Sequence, residues 1–554
     1  MSSYDAIVIG AGHNGLVCAA YLCRGGLRTL VLERSDRIGG ACVTEELFPG
    51  FLISTASYSL SLLQREVVSE LGLDLDVRPK DPEVFAPLED GGGLLLWSDP
   101  QKRHDAIAEV SKADADAYPG FVELFEEAAV RLRPLLSFAA TRKQARRAFR
   151  RSEVDRLFKK TVDGSIADLC EEHFESPVMQ GLMASQGIIG SVAGPRTPGT
   201  AYIYLHHAFG QAAGSNGAWG FVRGGMGAIT DQLADVVRAA GGEIRLEAEV
   251  QSVKLASGRR AEGVVLASGE EIDARVVCSG ADPKRTAALL DDPALPPEWV
   301  QDVGLLPTQG TVVKVNCALG GLPRFTGMSD GDKPGPEHLG TITVAPSIDY
   351  LEEACRAAAE GSLPEAVFCE AWIQSASEPE LAPDGKHTLS VFAQYVPYEL
   401  GDGGWDARRD EVGDLVLATL ERYAPGITDL VEDRMVLGPP DLEERFGLTG
   451  GHIFHGELLP DWLFDRRPSP GWHRYRTPVP RLYLCGSGVH PGGGVSGAPG
   501  RNAARAVIED LVARGHGPRA AEEAEREREA EAAEPPEQAQ PPQPAEPAAG
   551  ATSG

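Results

Sequence analysis

The first 40 residues contain two short apolar runs, separated by a segment in which apolar residues recur at helical spacing. Tyr4–Ile9 and Arg28–Leu32 are rich in apolar and β-branched residues, and each predicts a strand. Asn14–Gly25 places its apolar residues on one side of a helix that is able to pack on a sheet, namely Leu16, Ala19, Ala20 and Leu22. A strand, a helix and a second strand in this order predict the start of an α/β fold.

Downstream, the pattern becomes that of a hairpin and then that of a helical region. Apolar and polar residues alternate along Glu83–Trp97 around the glycines Gly91–Gly93, which predicts a β-hairpin. From about Asp99 to Ala213 the spacing is mostly helical. Leu233–Ala240 predicts a further helix, which ends at the two glycines that follow it.

The second half of the chain mixes both patterns. Between about 284 and 470, helical segments alternate with β-rich runs such as TVVKVNCAL, AVFCEAWIQ and TLSVFAQYV. Arg481–Leu484 predicts a strand that leads into a glycine-rich turn, and Gly500–Arg514 predicts a helix. From about Pro518 the chain consists mainly of Ala, Glu, Pro and Gln. Such a segment cannot bury enough apolar surface to offset its ordering entropy, so we expect a disordered tail.

Composition excludes several classes of protein. The chain has 554 residues, of which 42% are hydrophobic, so a large core is possible. Its 52 basic and 81 acidic residues give a net charge of −29, which repels nucleic-acid phosphates and disfavours polybasic docking on anionic lipid. No apolar run of transmembrane length and no signal-peptide pattern occur, so we expect a cytoplasmic protein. Peripheral membrane contact and the oligomeric state stay open.

The nine cysteines are scattered and form no CxxC pair, which is typical of buried thiols in a reducing compartment. No zinc-ligand spacing occurs. His452 and His455 lack a third ligand at a recognisable distance, so we expect no metal. Cys42 has no partner five positions on, where Leu47 stands, and a redox dithiol is therefore not expected.

A dinucleotide-binding signature lies between the first predicted strand and the first helix. Its G-x-G-x-x-G glycines are Gly10, which permits a tight turn, Gly12, which lets the backbone approach a pyrophosphate, and Gly15, which allows close helix–strand packing. Glu33 lies 18 residues after Gly15, at the end of the second predicted strand. A carboxylate there accepts hydrogen bonds from ribose hydroxyls, so the sequence predicts a bound dinucleotide.

Two further glycine-rich turns favour FAD over NAD. Asp36–Ala41 contains a glycine pair immediately after the ribose acid, which resembles the extended signature of FAD enzymes with the glutathione-reductase topology. Cys485–Gly497 follows a predicted strand and enters a predicted helix, which makes it a second N-terminal anion site. No second framed G-x-G-x-x-G occurs mid-chain, so we expect no dedicated NAD(P)H domain.

These segments together resemble the phytoene desaturase-related FAD oxidoreductases. The resemblance runs to about Ala513 and is carried by YDAIVIGAGHNGLV, IGGACVTEE, the stretch around 57–63, GAWGFVRGGMGAI, GGHIFHGEL and LYLCGSGVHPGGGVSGAPGRNAA. It implies non-covalent FAD, bound by Gly10, Gly12, Asn14, Gly15, Glu33, Arg34, Gly39, Gly40, Ala41, Val250, Gly486, Gly488 and Val495. Many flavoproteins carry an acidic residue after the first glycine of the last motif. This chain has Ser487 there, which weakens the expected ribityl contact.

The resemblance also implies an α/β fold. Its parts are a Rossmann-type FAD-binding domain of glutathione-reductase-like topology and an inserted α+β substrate domain; the disordered C-terminal tail expected from the composition follows them. The expected bounds are 1–75, 221–290 and 471–515 for the FAD-binding domain, 76–220 and 291–470 for the substrate domain, and 516–554 for the acidic tail.

The expected activity is that of an FAD-dependent oxidoreductase. The flavin exchanges hydride in such enzymes, so the protein has to hold a small-molecule substrate and exclude water. We expect an apolar, phytoene desaturase-like substrate. His490, in the loop at the flavin end, is the candidate catalytic residue, since a histidine is able to move a proton; a structural loop histidine is the open alternative. An amine-oxidase-like flavin oxidase and a flavoprotein with a regulatory or partner-binding role are the alternative functions.

Overall fold

The computed structural model describes residues 4–149, 156–212, 214, 217–256, 259–290, 295–328, 331, 333–401 and 403–514. The tail predicted over 516–554 lies outside these ranges. Within the described residues, no helix combines the length and the apolar character that crossing a lipid bilayer requires.

The first of two seven-stranded sheets is built around the N-terminal strand. In spatial order its strands are Val250–Leu255, Ala261–Leu266, Glu271–Ser279, Tyr4–Ile9, Thr29–Leu32 and Glu243–Arg245, and Leu482–Leu484 also pairs with Glu271–Ser279. Tyr4–Ile9 runs parallel to both of its neighbours. Helices cover one face of this sheet, and they are His13–Arg24, Gly227–Ala239 and Ala498–Ala513. Burial on both faces explains why the central strands read as continuous apolar runs.

The second sheet is mainly antiparallel. In spatial order its strands are Val431–Leu437, Val312–Leu319, His387–Gln394, Phe368–Trp372, Thr341–Val344, Val84–Pro87 and Gly93–Leu96. The last two form the hairpin predicted over Glu83–Trp97. The two sheets confirm the α/β class predicted from the N-terminal pattern.

The two faces of the second sheet have different neighbours. Val313 and Val315 share an apolar cluster with the helix Gly404–Glu421, whereas Val312 belongs to the cluster of the helical region. Because successive side chains of a strand alternate between faces, Lys314 lies on the same face as Val312. This alternation places a lysine on the side of the sheet that faces away from the covering helix.

The helical region predicted from about Asp99 consists of several helices, and side-chain caps fix where five of them begin. Asp99, Ser111, Thr141, Ser165 and Ser176 each accept a hydrogen bond from a backbone amide of the first turn. The helices of this region are Pro100–Val110, Lys112–Leu132, Arg142–Arg147, Ile166–His173, Pro177–Ser185 and Thr200–His207, with a π-turn at Lys159–Asp163.

The remaining elements connect these layers. Two short antiparallel pairs are Thr44–Phe48 with Phe51–Ser54 and Val77–Pro79 with Gly220–Val222. The other α-helices are Arg65–Leu71, Pro283–Ala288, Pro297–Leu305, Ile348–Ala359 and Pro439–Phe446. The helix predicted over Leu233–Ala240 begins earlier, at Gly227, because Ile229 and Leu233 share its buried face.

Candidate active site

The glycine loop after the first strand leaves space for a ligand on one side only. Gly10 has φ +92°, and a Cβ on Gly15 would lie 2.1 Å from the carbonyl oxygen of Gly10, so neither position accepts a side chain without a shift of the backbone. A Cβ on Gly12 would meet nothing closer than 4.0 Å. The open side at Gly12 faces a cavity, and the helix His13–Arg24 begins there with free backbone amides.

Glu33 is held in place by the loop that it serves. One carboxylate oxygen accepts from the backbone N–H of Ala11 at 2.7 Å, and the other accepts from that of Ser35 at 3.0 Å. The side chain is buried at the end of Thr29–Leu32 and lines the cavity. Each oxygen keeps a second lone pair, so the carboxylate is still able to accept hydrogen bonds from ribose hydroxyls.

Asn14 presents an unused acceptor to the same cavity. Its Nδ2 donates to Oγ of Ser487 at 3.1 Å, while its Oδ1 is buried and has no partner among the described residues. A buried polar atom without a partner is costly, so this oxygen fits a ligand that brings a hydroxyl or N–H donor. Ser487, which replaces the acidic residue of many flavoproteins, is thereby tied to the first helix.

One cavity of about 870 Å³ collects the predicted cofactor residues. It brings together nearly all of them, namely Gly10, Gly12, Asn14, Gly15, Glu33, Arg34, Gly39, Gly40, Ala41, Val250, Gly486 and Val495. Gly488 is not among the lining residues, because it packs on Pro283: a Cβ there would lie 2.3 Å from Cδ of the proline.

The structure does not bring His490 to the cavity. The residue is buried, and its Nε2 lies 2.9 Å from the carbonyl oxygen of Leu135. Burial lowers the pKa of His490 to about 4, so the ring is neutral near pH 7 and donates to that carbonyl. Its ring also packs beside Phe464. Its Nδ1 is buried and has no partner among the described residues.

The far end of the cavity is apolar and aromatic. It is lined by Tyr58, Leu62, Ile189, Trp219, Val312, Phe392, Ile453 and Phe454. We call this part the aromatic end, and the part around Gly12 and Glu33 the dinucleotide end. Such a mixture of apolar walls and few polar groups is typical of small-molecule sites.

Lys314 lies in the aromatic end and was not identified from the sequence. It is 2% exposed, it lines the cavity, and its Nζ donates to Oγ of Ser390 at 2.7 Å. Burial lowers the pKa of this lysine to about 7, although the charge of Glu370 acts in the opposite direction. The signal was present in the run TVVKVNCAL, where a lysine stands within a mainly apolar strand.

Arg467 connects the segment GGHIFHGE with the glycine-rich turn at the flavin end. Its buried guanidinium donates to the carbonyl oxygens of Phe454 at 2.7 Å, Glu457 at 2.8 Å and Ser487 at 2.9 Å. Burial lowers the pKa of Arg467 to about 10, so the group stays charged near pH 7. His455 of this segment lines the cavity, whereas His452 is not among the described lining residues.

Cys42 also lines the cavity, and its chemistry is that of a packed thiol. All nine cysteines are free, and Sγ of Cys42 donates to the carbonyl oxygen of Met226 at 3.3 Å. Burial raises the pKa of Cys42 to about 12, so the thiolate is not formed near neutral pH.

Comparison with known proteins assigns this site to a family. A family model described as flavin containing amine oxidoreductase matches residues 15–508. The chain belongs to this family. Its match extends from Gly15, the last glycine of the loop, into the last helix and therefore includes most of the residues that line the cavity.

Three relatives support the resemblance that the sequence motifs indicated. The chain is 40% identical over 544 residues to the mouse pyridine nucleotide-disulfide oxidoreductase domain-containing protein 2, covering 92% of this chain and 94% of that protein. It is 25% identical to a limonene dehydrogenase subunit of Castellaniella defragrans, covering 92% and 95%. It is 25% identical to the neurosporene-forming phytoene desaturase of Rhodobacter capsulatus, covering 88% and 91%. The relation to phytoene desaturase-like flavoproteins is confirmed.

Solved structures share the fold. An oxidoreductase from Methanosarcina mazei superimposes with a TM-score of 0.60 at 18% identity, over 91% of this chain and 99% of its own. Cyclohexylamine oxidase from Brevibacterium oxydans gives a TM-score of 0.56 at 18% identity, over 92% and 100%. The fold is thus the α/β fold of flavin amine oxidases.

The protein is an FAD-dependent oxidoreductase, and its residues fit the cofactor. The open side of the glycine loop, the carboxylate of Glu33 and the unpartnered Oδ1 of Asn14 form a matched set of donors and acceptors. When bound, the flavin supplies acceptance or donation of hydride. The protein itself supplies the cradle and the aromatic walls that exclude water.

Proposed function

We propose that this oxidoreductase transfers hydride between its flavin and a compact, mainly apolar small molecule that occupies the aromatic end. The observation that carries the proposal is that one cavity is lined both by the glycine loop and by Tyr58, Trp219 and Phe392. Two relatives named for limonene and phytoene support an apolar substrate.

The size of the cavity favours a compact substrate over a long polyene. Pockets for drug-sized ligands occupy about 300–1,000 Å³. The whole cavity measures about 870 Å³ and has to accommodate the cofactor as well. The space that remains suits a molecule of the size of a monoterpene better than an extended chain.

We further propose that the chain is divided into two discontinuous domains. The segments 1–75, 221–290 and 471–515 form the FAD-binding domain of glutathione-reductase-like topology, and 76–220 and 291–470 form the inserted substrate domain. Support comes from the strands, since those of the first sheet lie in the former segments and those of the second sheet in the latter. In this division the twelve predicted FAD contacts that line the cavity bind the cofactor, Gly488 packs on Pro283 beside them, and His490 serves the packing of its loop.

The visible spectrum of the purified protein tests this function. The band of oxidised flavin is followed under anaerobic conditions while NADPH or NADH is added, and then while candidate substrates are added. Bleaching of the band by NADPH or NADH indicates a reductase or a reduced-flavin isomerase. Bleaching by substrate alone indicates a desaturase or an oxidase. A protein that shows no flavin band after reconstitution with FAD would contradict the proposal.

An amine oxidase is the second candidate, and the shared fold of cyclohexylamine oxidase favours it. Release of hydrogen peroxide on aerobic addition of cyclohexylamine would establish this activity. No peroxide from a flavin-loaded sample, with bleaching by an apolar substrate, would leave the first candidate in place.

A further inference from the structure

We propose that the substrate of the aromatic end carries a carboxylate group, which binds to the ammonium group of Lys314. This inference deepens the proposed function and rests on it, because it identifies the polar group of an otherwise apolar substrate. It excludes a cationic amine as the preferred ligand. Three features of the site support it: the hydrogen bonds that orient Lys314, the charges buried behind it, and the neutrality of the remaining walls.

A chain of hydrogen bonds orients the ammonium group of Lys314. Nδ2 of Asn316 donates to the carbonyl oxygen of Thr55 at 2.9 Å, so Oδ1 of Asn316 is left to accept from the Ser390 hydroxyl at 2.7 Å. Because the Ser390 hydroxyl donates its hydrogen to Asn316, its oxygen acts as the acceptor for Nζ of Lys314. An ammonium group has three donors, and Ser390 takes one of them. The ring of Tyr58 lies 4.6 Å from Nζ, a cation–π contact that leaves a donor for a ligand.

The buried charges behind Lys314 leave it without a carboxylate of its own. Lys314, Lys80 and Glu370 are all at most 6% exposed, and the charge of Glu370 acts on both lysines. The charge of Glu83 also acts on Lys80, and Glu83 is in turn shared with Arg103. Among the described ion pairs, none includes Lys314. Two buried lysines that share one carboxylate leave one positive charge uncompensated, and a bound anion would compensate it.

The other titratable groups of the cavity do not compete for this role. Burial lowers the pKa of His13 to about 4 and that of His207 to about 3, so both are neutral near pH 7. Burial also lowers the pKa of His455, which disfavours its charged form. Glu45 is paired with Arg37 and Arg445. The remaining charged lining residues belong to the dinucleotide end, namely Glu33, Arg34, Asp36, Glu249 and Arg285. Within the described lining, Lys314 is thus the cation that a substrate in the aromatic end meets.

The pH dependence of binding follows from the charge of Lys314. The groups around its amine are Glu370, Lys80 and Tyr58, and burial raises the pKa of Tyr58 well above its ordinary value. A carboxylate ligand needs the protonated amine. Above pH 7 a growing fraction of the free protein has to take up a proton in order to bind, so the Kd of a carboxylate rises by up to tenfold for each pH unit.

Calorimetric titration of the flavin-loaded enzyme with three molecules of one shape tests the proposal. The ligands are cyclohexanecarboxylate, cyclohexanecarboxamide and cyclohexylamine. At pH 6.5 we expect the carboxylate to bind at least tenfold more tightly than the amine, with the amide between them. Between pH 7 and pH 9 the Kd of the carboxylate should rise, while that of the amide stays constant.

Variants assign the effect to one side chain. Lys314→Met should weaken carboxylate binding at least tenfold and leave amide binding within twofold, whereas Lys314→Arg, with a permanent charge, should retain carboxylate binding and lose its dependence on pH. Lys254→Met, at a lysine paired with Glu271 and Asp273, is the control and should change nothing. If Lys314→Met does not fold, the pH profile of the native protein decides.

Two results would overturn the inference: tighter binding of cyclohexylamine than of cyclohexanecarboxylate, or a carboxylate Kd that is constant from pH 6.5 to pH 9. Either leaves the proposed hydride transfer standing if substrates still bleach the flavin. Conversely, carboxylate binding at a flavin that never exchanges hydride would contradict only the proposed function.

Discussion

Glu33 holds both of its carboxylate oxygens against backbone amides, so its position does not depend on a ligand. The hydrogen bonds from Ala11 and Ser35 orient the group toward the cavity in advance. A preoriented acceptor loses little conformational freedom when a ribose binds, which strengthens its contribution to affinity.

Substitution of this acid tests the dinucleotide end. Glu33→Gln keeps the shape and removes the charge, so we expect FAD affinity to fall by about 1.5–3 kcal/mol, the value of hydrogen bonds to a charged group. Quenching of FAD fluorescence on titration with apoprotein measures the change. Glu249→Gln, at a neighbouring lining acid for which we assign no ribose contact, is the matched control. Equal affinities for Glu33→Gln and the native protein would remove Glu33 from the cofactor site.

The residues found and missed differ in how far apart their partners lie in the sequence. The glycine loop and Glu33 could be predicted because a strand, a turn and a helix within 33 residues determine their geometry. The burial of Lys314 depends on Ser390 and Glu370, which lie on other strands. The packing of His490 depends on Leu135, which is 355 positions away. Local pattern contains no information about such partners.

At the scale of the element, the first strand and the first helix pack so closely that a single methyl group on Gly15 would distort the glycine loop. The Cα of Gly15 faces the carbonyl oxygen of Gly10, and a backbone atom cannot rotate away as a side chain does. The first α/β unit could be predicted from the spacing of its apolar residues. The bounds of the later helices could not, because they depend on caps and on the sheet against which the helices pack.

Gly15→Ala should therefore destabilise the fold and impair cofactor binding together. We expect a loss of about 1–3 kcal/mol in the free energy of unfolding, as is typical of overpacking, and at least tenfold weaker FAD binding. Urea unfolding of the apoprotein and FAD titration measure the two effects.

The control for this substitution is Gly120→Ala, in the exposed part of the helix Lys112–Leu132, where a Cβ would meet nothing within 4 Å. Alanine there should stabilise the protein by up to about 1 kcal/mol, because glycine is the poorer helix former. If both variants behaved alike, the close contact at Gly15 would not be the cause.

At the scale of the whole molecule, several neutral histidines are part of the interior. Burial lowers the pKa of His206 and His490 to about 4, and that of His207 and His452 to about 3. The ordinary pKa of histidine is about 6.5, so the unfolded chain binds more protons than the folded one between about pH 6.5 and pH 4. Folding stability is then highest above pH 6.5 and falls as the pH decreases through this range.

Acid should accordingly unfold this protein earlier than its carboxylates alone would. We expect the urea midpoint to be constant between pH 8 and pH 7 and to decrease steadily from pH 6.5 to pH 4.5. Circular dichroism at each pH measures it. A midpoint that is constant down to pH 4.5 would contradict this expectation.

The first sheet also governs when the enzyme becomes complete during synthesis. Its strand Tyr4–Ile9 emerges from the ribosome before the other strands of the sheet, whereas Leu482–Leu484 and the cavity wall at Val495 follow more than 470 residues later. At about 5–20 residues per second, the glycine loop waits on the order of half a minute to a minute and a half for its last neighbours. Throughout that interval a nascent chain exposes an unfinished sheet edge. A messenger truncated before the last strand would thus yield a polypeptide that depends on chaperones and lacks part of the flavin site.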